Sequence, residues 1–334
     1  MSIAFRVALC TSLSIASTVQ AGVRPLVTEP KTPQYVIISF DGAHDIVQWQ
    51  RSRALAARTG ARFTYFLSCV FLLSRDTRRE YQGPGMQPGK SNVGFAQSKQ
   101  EVAERIEEIR LAASEGHEIA SHACGHFDGK DWSEDDWLEE FASFRHIFSD
   151  AYAINGIANE PGDWRKFSDE AVSGFRAPYL STSKALYDAL EMAGFKYDAS
   201  GVSRGPIAPQ LEAGVERFSL PMIPEGPKAR RVIAMDYNLF VRHSDGVEQP
   251  DETGDFQERS YEAFKVAFNA QYAGERVPLQ LGFHFTLMND GAYWKALEQF
   301  AEEVCVKADV VCTSYGDYLA RTGSQESVSE AAGG

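Results

Sequence analysis

Tyr35-Val36-Ile37-Ile38 is an unbroken apolar run rich in branched side chains, the pattern of a strand buried on both faces. A helical stretch over 46–58 follows, closed by Gly60, and then a second strand over 62–67. Residues 83–94 carry Gly and Pro punctuation and read as a loop. Val102, Ile106 and Ile109 fall on one face of a helix over 99–114, Gly116 ends it, and Glu118-Ile119-Ala120 opens the next strand. Ser133 caps a further helix whose first turn is Glu134, Asp135 and Asp136. Later strands are expected at 173–176, 196–199, 232–235 and 279–283, and helices at 183–193, 258–272 and 292–307. Strand and helix in alternation predict an α/β fold, a parallel sheet with helices outside it. An open doubly wound sheet and a closed β/α barrel both fit the pattern. No glycine-rich dinucleotide fingerprint follows the first strand, which counts against the nucleotide-binding version.

Composition narrows the function. A net charge of −13 argues against a nucleic-acid binder, which needs a basic surface to neutralise phosphates. At the N-terminus Arg6, an apolar stretch over 7–16 and Val19-Gln20-Ala21 read as a secretory leader cleaved after Ala21. That predicts a periplasmic or secreted protein with a signal peptide over 1–21 and one domain over 22–321. No later window is long and apolar enough for a membrane span. Cys69, Cys124, Cys305 and Cys312 then remain. An even number in an oxidising compartment permits two disulfides, Cys305 with Cys312 and Cys69 with Cys124; buried free thiols are the alternative. The tail over 322–334 is Ser, Glu, Gly and Ala with little to bury, and is expected to be disordered.

In a barrel, reactive side chains gather at the C-terminal ends of strands. Five such ends carry chemistry. The first is Ser39-Phe40-Asp41-Gly42-Ala43-His44-Asp45, and a later one is Ser121-His122-Ala123-Cys124-Gly125-His126. The others are Arg176-Ala177-Pro178-Tyr179, Met235-Asp236-Tyr237 and Gly282-Phe283-His284. His122 and His126, four apart after a strand, can aim two imidazoles at one ion. Asp41 at the end of a buried strand needs a partner, and Arg176 can fix a carboxylate. Pro178 stiffens the turn that would hold the Tyr179 backbone N–H toward an oxyanion. Asp236 can orient His284 and raise its pKa, making it a proton donor.

In this order the motifs resemble the polysaccharide deacetylases, the fourth carbohydrate esterase family, and within it the chitin-deacetylase-like branch. The resemblance runs from Val36 to Arg321, with Gly116-His117-Glu118-Ile119-Ala120-Ser121-His122 and Arg176-Ala177-Pro178-Tyr179-Leu180 closest. It implies a distorted (β/α) barrel of about seven strands. It also implies a divalent metal ion, usually zinc, held by His122 and His126, and an N-acetylated glycan as substrate. Asp41 matches the family's general base, His284 its catalytic histidine, and Arg176 and Tyr179 its Arg-x-Pro-Tyr motif. Asp236 is the better match to the family's late aspartate, and Asp198 competes with it.

One departure stands out. The family's first motif has two aspartates, and the second, a metal ligand, is Gly42 here. Asp45 or His44 in the following turn could reach the ion, or Asp41 could bind it directly; Asp45 is the expected third ligand, with the helix N-terminus as its other possible role. The expected function is metal-dependent removal of N-acetyl groups from a chitin-like or other N-acetylhexosamine polymer. The alternative is a catalytically silent carbohydrate-binding protein on the same barrel.

Overall fold

The computed structural model describes residues 32–332 together with Met1. The expected leader over 1–21 lies outside the described residues apart from Met1. The chain opens with β1 (Gln34–Gly42), buried at every residue but the last. Asp45 then caps α1 (Ile46–Thr59), and Gly60, in the left-handed region at φ 72°, closes that helix by donating its N–H to the Ala56 carbonyl. β2 (Thr64–Leu67), α2 (Lys99–Ser114) and β3 (Glu118–Ser121) follow. In α3 (Glu134–Ser149), Ser133 and Asp136 form a reciprocal capping box. Next come α4 (Ala151–Asn155), α5 (Trp164–Ala171), β4 (Gly174–Phe175), α6 (Lys184–Met192) and β5 (Tyr197–Ser203). The later half contains β6 (Gln210–Glu212), β7 (Val215–Glu225), β8 (Arg230–Ile233), α7 (Asp236–Ser244) and α8 (Thr253–Ala273). It ends with β9 (Leu279–His284), α9 (Met288–Val304), β10 (Val310–Thr313) and α10 (Tyr315–Ala332).

β1 is central. One of its edges pairs with β9, and the other is shared by β10 at its start and β2 at its end. From β2 the sheet continues in parallel through β3, β4, β5 and β7, while β6 and β8 join β7 antiparallel. The sheet curls until its ends meet: the Gly282 N–H of β9 donates to the Ala234 carbonyl at 2.9 Å, just beyond β8. A Cβ at Gly282 would meet the terminal methyl of Met235 at 2.9 Å, so the Met235 side chain packs closely against this backbone. The result is a curled, mostly parallel (β/α) barrel with surrounding helices, the architecture expected from the sequence.

The core explains why the strands stay together. Phe40 of β1 packs against Phe63, Tyr65, Phe283, Phe285 and Trp294, with ring centroids 5.0–6.0 Å apart. Trp49, Trp137, Trp164 and Trp294 are fully buried, so these indoles fill the interior rather than face a sugar. Both expected disulfides are present, Cys69–Cys124 and Cys305–Cys312. Among the described residues no helix is long and apolar enough to cross a membrane.

Several elements have no counterpart in the sequence expectation, β6, β10, α4 and α5 among them, and three differences have a local physical reason. β7 is not foreseen because Pro221 and Pro224 interrupt its apolar run, and proline normally argues against a paired strand. Asp236, expected at a strand end, is the first residue of α7. The tail expected to be disordered from 322 continues α10 as far as Ala332; its Gln, Glu and Ala are good helix formers even without an apolar face.

The Cys69–Cys124 bridge closes a loop of 55 residues between the ends of β2 and β3. Replacing both cysteines by alanine is expected to cost about 4 kcal/mol of stability, the chain-entropy value for a loop of that size. Urea unfolding measures it, and an unchanged midpoint would contradict the bridge's role.

Candidate active site

The site is built on a buried ion pair. Asp41 leaves β1 with 3% of its side chain exposed, and Arg176, just past β4, has none exposed; they meet at 2.7 Å. Three more of its donors go to protein acceptors: the Ser39 hydroxyl at 2.9 Å, the Ala199 carbonyl at 3.0 Å and the Tyr315 hydroxyl at 2.8 Å. Its guanidinium also lies over the Phe66 ring, 4.3 Å from the centroid. Burial alone would raise the Asp41 pKa, but Arg176, helped by His122 and His284, outweighs it and holds the carboxyl below its usual value. Asp41 is therefore a carboxylate at neutral pH.

His122 follows β3 and is buried. Its Nδ1 lies 2.8 Å from the Arg176 carbonyl. A carbonyl only accepts, so Nδ1 carries the proton and Nε2 keeps its lone pair. Burial pushes the His122 pKa down to about 3, so the ring is neutral. The His126 ring stands 5.1 Å from that of His122, and burial, with His284 next, lowers its pKa as well. The loop between them is held from three sides. Cys124 is disulfide-bonded to Cys69, and the Cys69 N–H donates to the Ala123 carbonyl at 3.1 Å. Buried Glu140 accepts the Cys124 N–H at 2.8 Å and the Tyr81 hydroxyl at 2.9 Å. These contacts support left-handed backbone at Ala123 (φ 55°) and His126 (φ 54°).

His284 closes the site from β9, where it is the register partner of Asp41 on β1. Its Nδ1 donates to Asp236 at 2.7 Å, and its backbone N–H donates to the other oxygen of the same carboxylate at 2.7 Å. Burial would lower the His284 pKa, but Asp236, followed by Asp41, more than reverses this and leaves it raised above 6.5. The competing Asp198 is occupied elsewhere, bonded to Ser200 and 3.6 Å from Arg217. Tyr237 stands beside the site with its ring 6.3 Å from His284. Tyr179, in left-handed backbone at φ 59°, packs its exposed ring 4.8 Å from His126, and Asn92 reaches both the Tyr179 hydroxyl and the His126 carbonyl.

The structure thus brings together Asp41, Arg176, His122, His126, Tyr179, Asp236 and His284. It does not bring Asp45 to them. Asp45 caps α1, its Oδ1 accepting the Gln48 N–H at 3.0 Å, because the first helical turn has an orphan donor at that point. Gly42 has no side chain and sits at φ 83°, a backbone conformation that disfavours any other residue. Among the described residues no three His, Cys, Asp or Glu side chains group as a metal-holding set. Two imidazoles fall short of the three protein ligands of a catalytic zinc site, so the donors present do not fit the ion that the resemblance implies. Tyr315, Glu140 and Asn92 are missed by sequence reasoning, since each acts through contacts distant in the chain and no motif marks them; Ser39 stands in the first motif, but its bond to Arg176 is not foreseen.

A curled (β/α) barrel thus gathers an acid–arginine pair and three histidines at its strand ends. The fold is that of the polysaccharide deacetylases. A structure from Mycobacterium smegmatis described as a polysaccharide deacetylase superposes with a TM-score of 0.55 at 16% identity, over 90% of this chain and 94% of that one. A second, from Pseudomonas aeruginosa PAO1 and described likewise, gives 0.50 at 15% identity, over 88% and 96%. Puue allantoinase is similar to the same extent, 0.50 at 16% identity over 88% and 95%. No protein-family model and no curated protein matches the sequence.

Removing Arg176 would leave Asp41 buried and unpaired. Arg176→Ala is expected to cost about 3–5 kcal/mol, and Asp41→Ala with Arg176→Ala together less than the sum of the two singles. Urea midpoints of the four proteins test this, and strict additivity would show that the pair is uncoupled.

Proposed function

We propose that the chain is an exported amide hydrolase that removes N-acetyl groups from a glycan. One observation carries this: Asp41 and His284 sit on paired positions of neighbouring strands and are pushed toward opposite protonation states. A base that is ionised beside an acid that is protonated is what amide hydrolysis needs. Two disulfides support an oxidising, extracytoplasmic setting.

In this reading water lies between Asp41 and the acetyl carbonyl, with the Nε2 lone pair of His122 as a second acceptor to orient it. Asp41 takes a water proton as the oxygen attacks the carbonyl carbon. The Tyr179 N–H donates to the oxyanion that forms. His284, protonated and oriented by Asp236, then gives its Nε2 proton to the sugar nitrogen as the C–N bond breaks. Acetic acid, carrying the second water proton, and the free amine leave; the acid ionises in solvent, and the proton held by Asp41 passes to His284 through solvent. No step passes through a metal ion.

The second reading is a silent carbohydrate-binding protein, and Gly42 favours it by offering no donor where the resemblance implies a ligand. Acetate release from chitin oligomers separates the two. Asp41→Asn is expected to lower the rate about 100-fold or more, the usual weight of a general base, with the circular dichroism unchanged. Binding of oligomers without acetate release would favour the silent protein.

The pH profile follows from the two shifts. Rate is lost on the acid side as Asp41 takes a proton, below the ordinary carboxylate range, and on the alkaline side as His284 loses one, above 6.5. The bell should therefore be broad. A rate that rises steadily through pH 7–9 would contradict His284 as the acid. Because the donor set stops at two imidazoles, dialysis against a chelator is expected to leave acetate release intact. Loss of activity restored by zinc would show that a third ligand comes from substrate or solvent.

A further inference from the structure

Beside the site lies a cavity of about 360 Å³. Its wall includes His44 and Phe71, which follow β1 and β2, and Val93, next to the Asn92 that bonds His126 and Tyr179. Phe71 is also the side chain nearest Gly42, 3.9 Å from where a Cβ would stand. The cavity therefore lies close to the strand ends that carry Asp41.

The charge of its wall differs from that of the chain. Arg75, Arg78 and Arg105 line it against the single carboxylate of Glu101, in a protein with 46 acidic and 33 basic residues. Arg105, 1% exposed, is structural: it donates to the His44 carbonyl at 2.7 Å, the Phe71 carbonyl at 2.6 Å and Glu101 at 2.6 Å, fixing the wall. Arg75 and Arg78 are exposed, and among the described residues neither guanidinium has an ion pair or a hydrogen bond. Arg51, Arg53 and Arg58, by contrast, each meet a glutamate. Asp76 and Glu80 share the segment but do not line the cavity. Arg79 and Lys90 carry the positive surface from Arg78 into an adjoining depression of about 290 Å³.

We propose that the substrate is an anionic N-acetylated glycan, and that Arg75 and Arg78 hold a negatively charged substituent on the sugar next to the one deacetylated. This rests on the hydrolysis proposed at Asp41 and His284. Two unpaired guanidiniums beside a preformed wall suit a carboxylate or a sulfate, which they can engage with paired N–H donors. The cavity, about 360 Å³, is within the size range of small-molecule pockets.

Calorimetric titration of the full chain tests it with three oligosaccharides of equal length. One is neutral chitin oligomer, one alternates N-acetylglucosamine with glucuronate, and one is 6-O-sulfated chitin oligomer. At low salt at least one charged oligomer is expected to bind about tenfold tighter than the neutral one, the usual weight of hydrogen bonds to a charged group. Which of the two does so identifies the anion. That advantage should vanish in R75Q/R78Q. Equal affinity for all three, no binding of either charged oligomer, or an advantage that survives R75Q/R78Q would overturn the proposal. Acetate release is measured on the same samples. Selective binding with no release from any oligomer would retire the hydrolase reading and leave the charge preference standing.

Discussion

A guanidinium buried at the centre of the barrel organises everything around it. Arg176 ties the end of β1 through Asp41 and Ser39, reaches β5 through the Ala199 carbonyl, and meets α10 through Tyr315. Its own carbonyl fixes the tautomer of His122. Taking two charges out of water is costly, and only a full set of partners makes the cost tolerable. The same set explains why Asp41 stays ionised while surrounded by protein. The interaction that stabilises the sheet also sets the protonation state of the residue proposed to act on water.

The histidines divide by environment. His122 and His126 are held neutral by burial, on a loop secured by a disulfide and by Glu140. His284 faces Asp236 and is shifted the other way. Three imidazoles gathered at one set of strand ends are therefore held in different protonation states, and the neighbours of each decide which. Gly42 leaves the two neutral rings without a third donor, and the turn that follows spends Asp45 on a helix cap. The neighbouring cavity carries Arg75, Arg78 and Arg105 against one carboxylate, so its wall is positively charged and suited to an anion.

Much of this was legible in the sequence, because periodicity and strand-end chemistry are local. The run over 35–38, the helix over 99–114 and the His-x-x-x-His spacing needed only neighbouring residues to be read. The resemblance favours Asp236 over Asp198, and the structure shows the physical difference: Asp236 bonds both the ring and the backbone of His284, while Asp198 is committed to Ser200. What stayed hidden was non-local. Tyr315 stands 139 residues from Arg176, and Glu140 supports a loop whose sequence gives no hint of it. β7 was masked by its prolines, and the role of Asp45 depended on where the helix began.

The account turns on the opposed protonation of one carboxylate and one imidazole across two paired strands. Nitrogen-15 NMR titration of the histidine rings tests it most directly. His284 is predicted to remain an imidazolium above pH 6.5 and to lose that shift in Asp236→Asn, while His122 stays neutral down to about pH 3 with its proton on Nδ1. A neutral His284 at pH 6, or a His122 that titrates near 6.5, would contradict it.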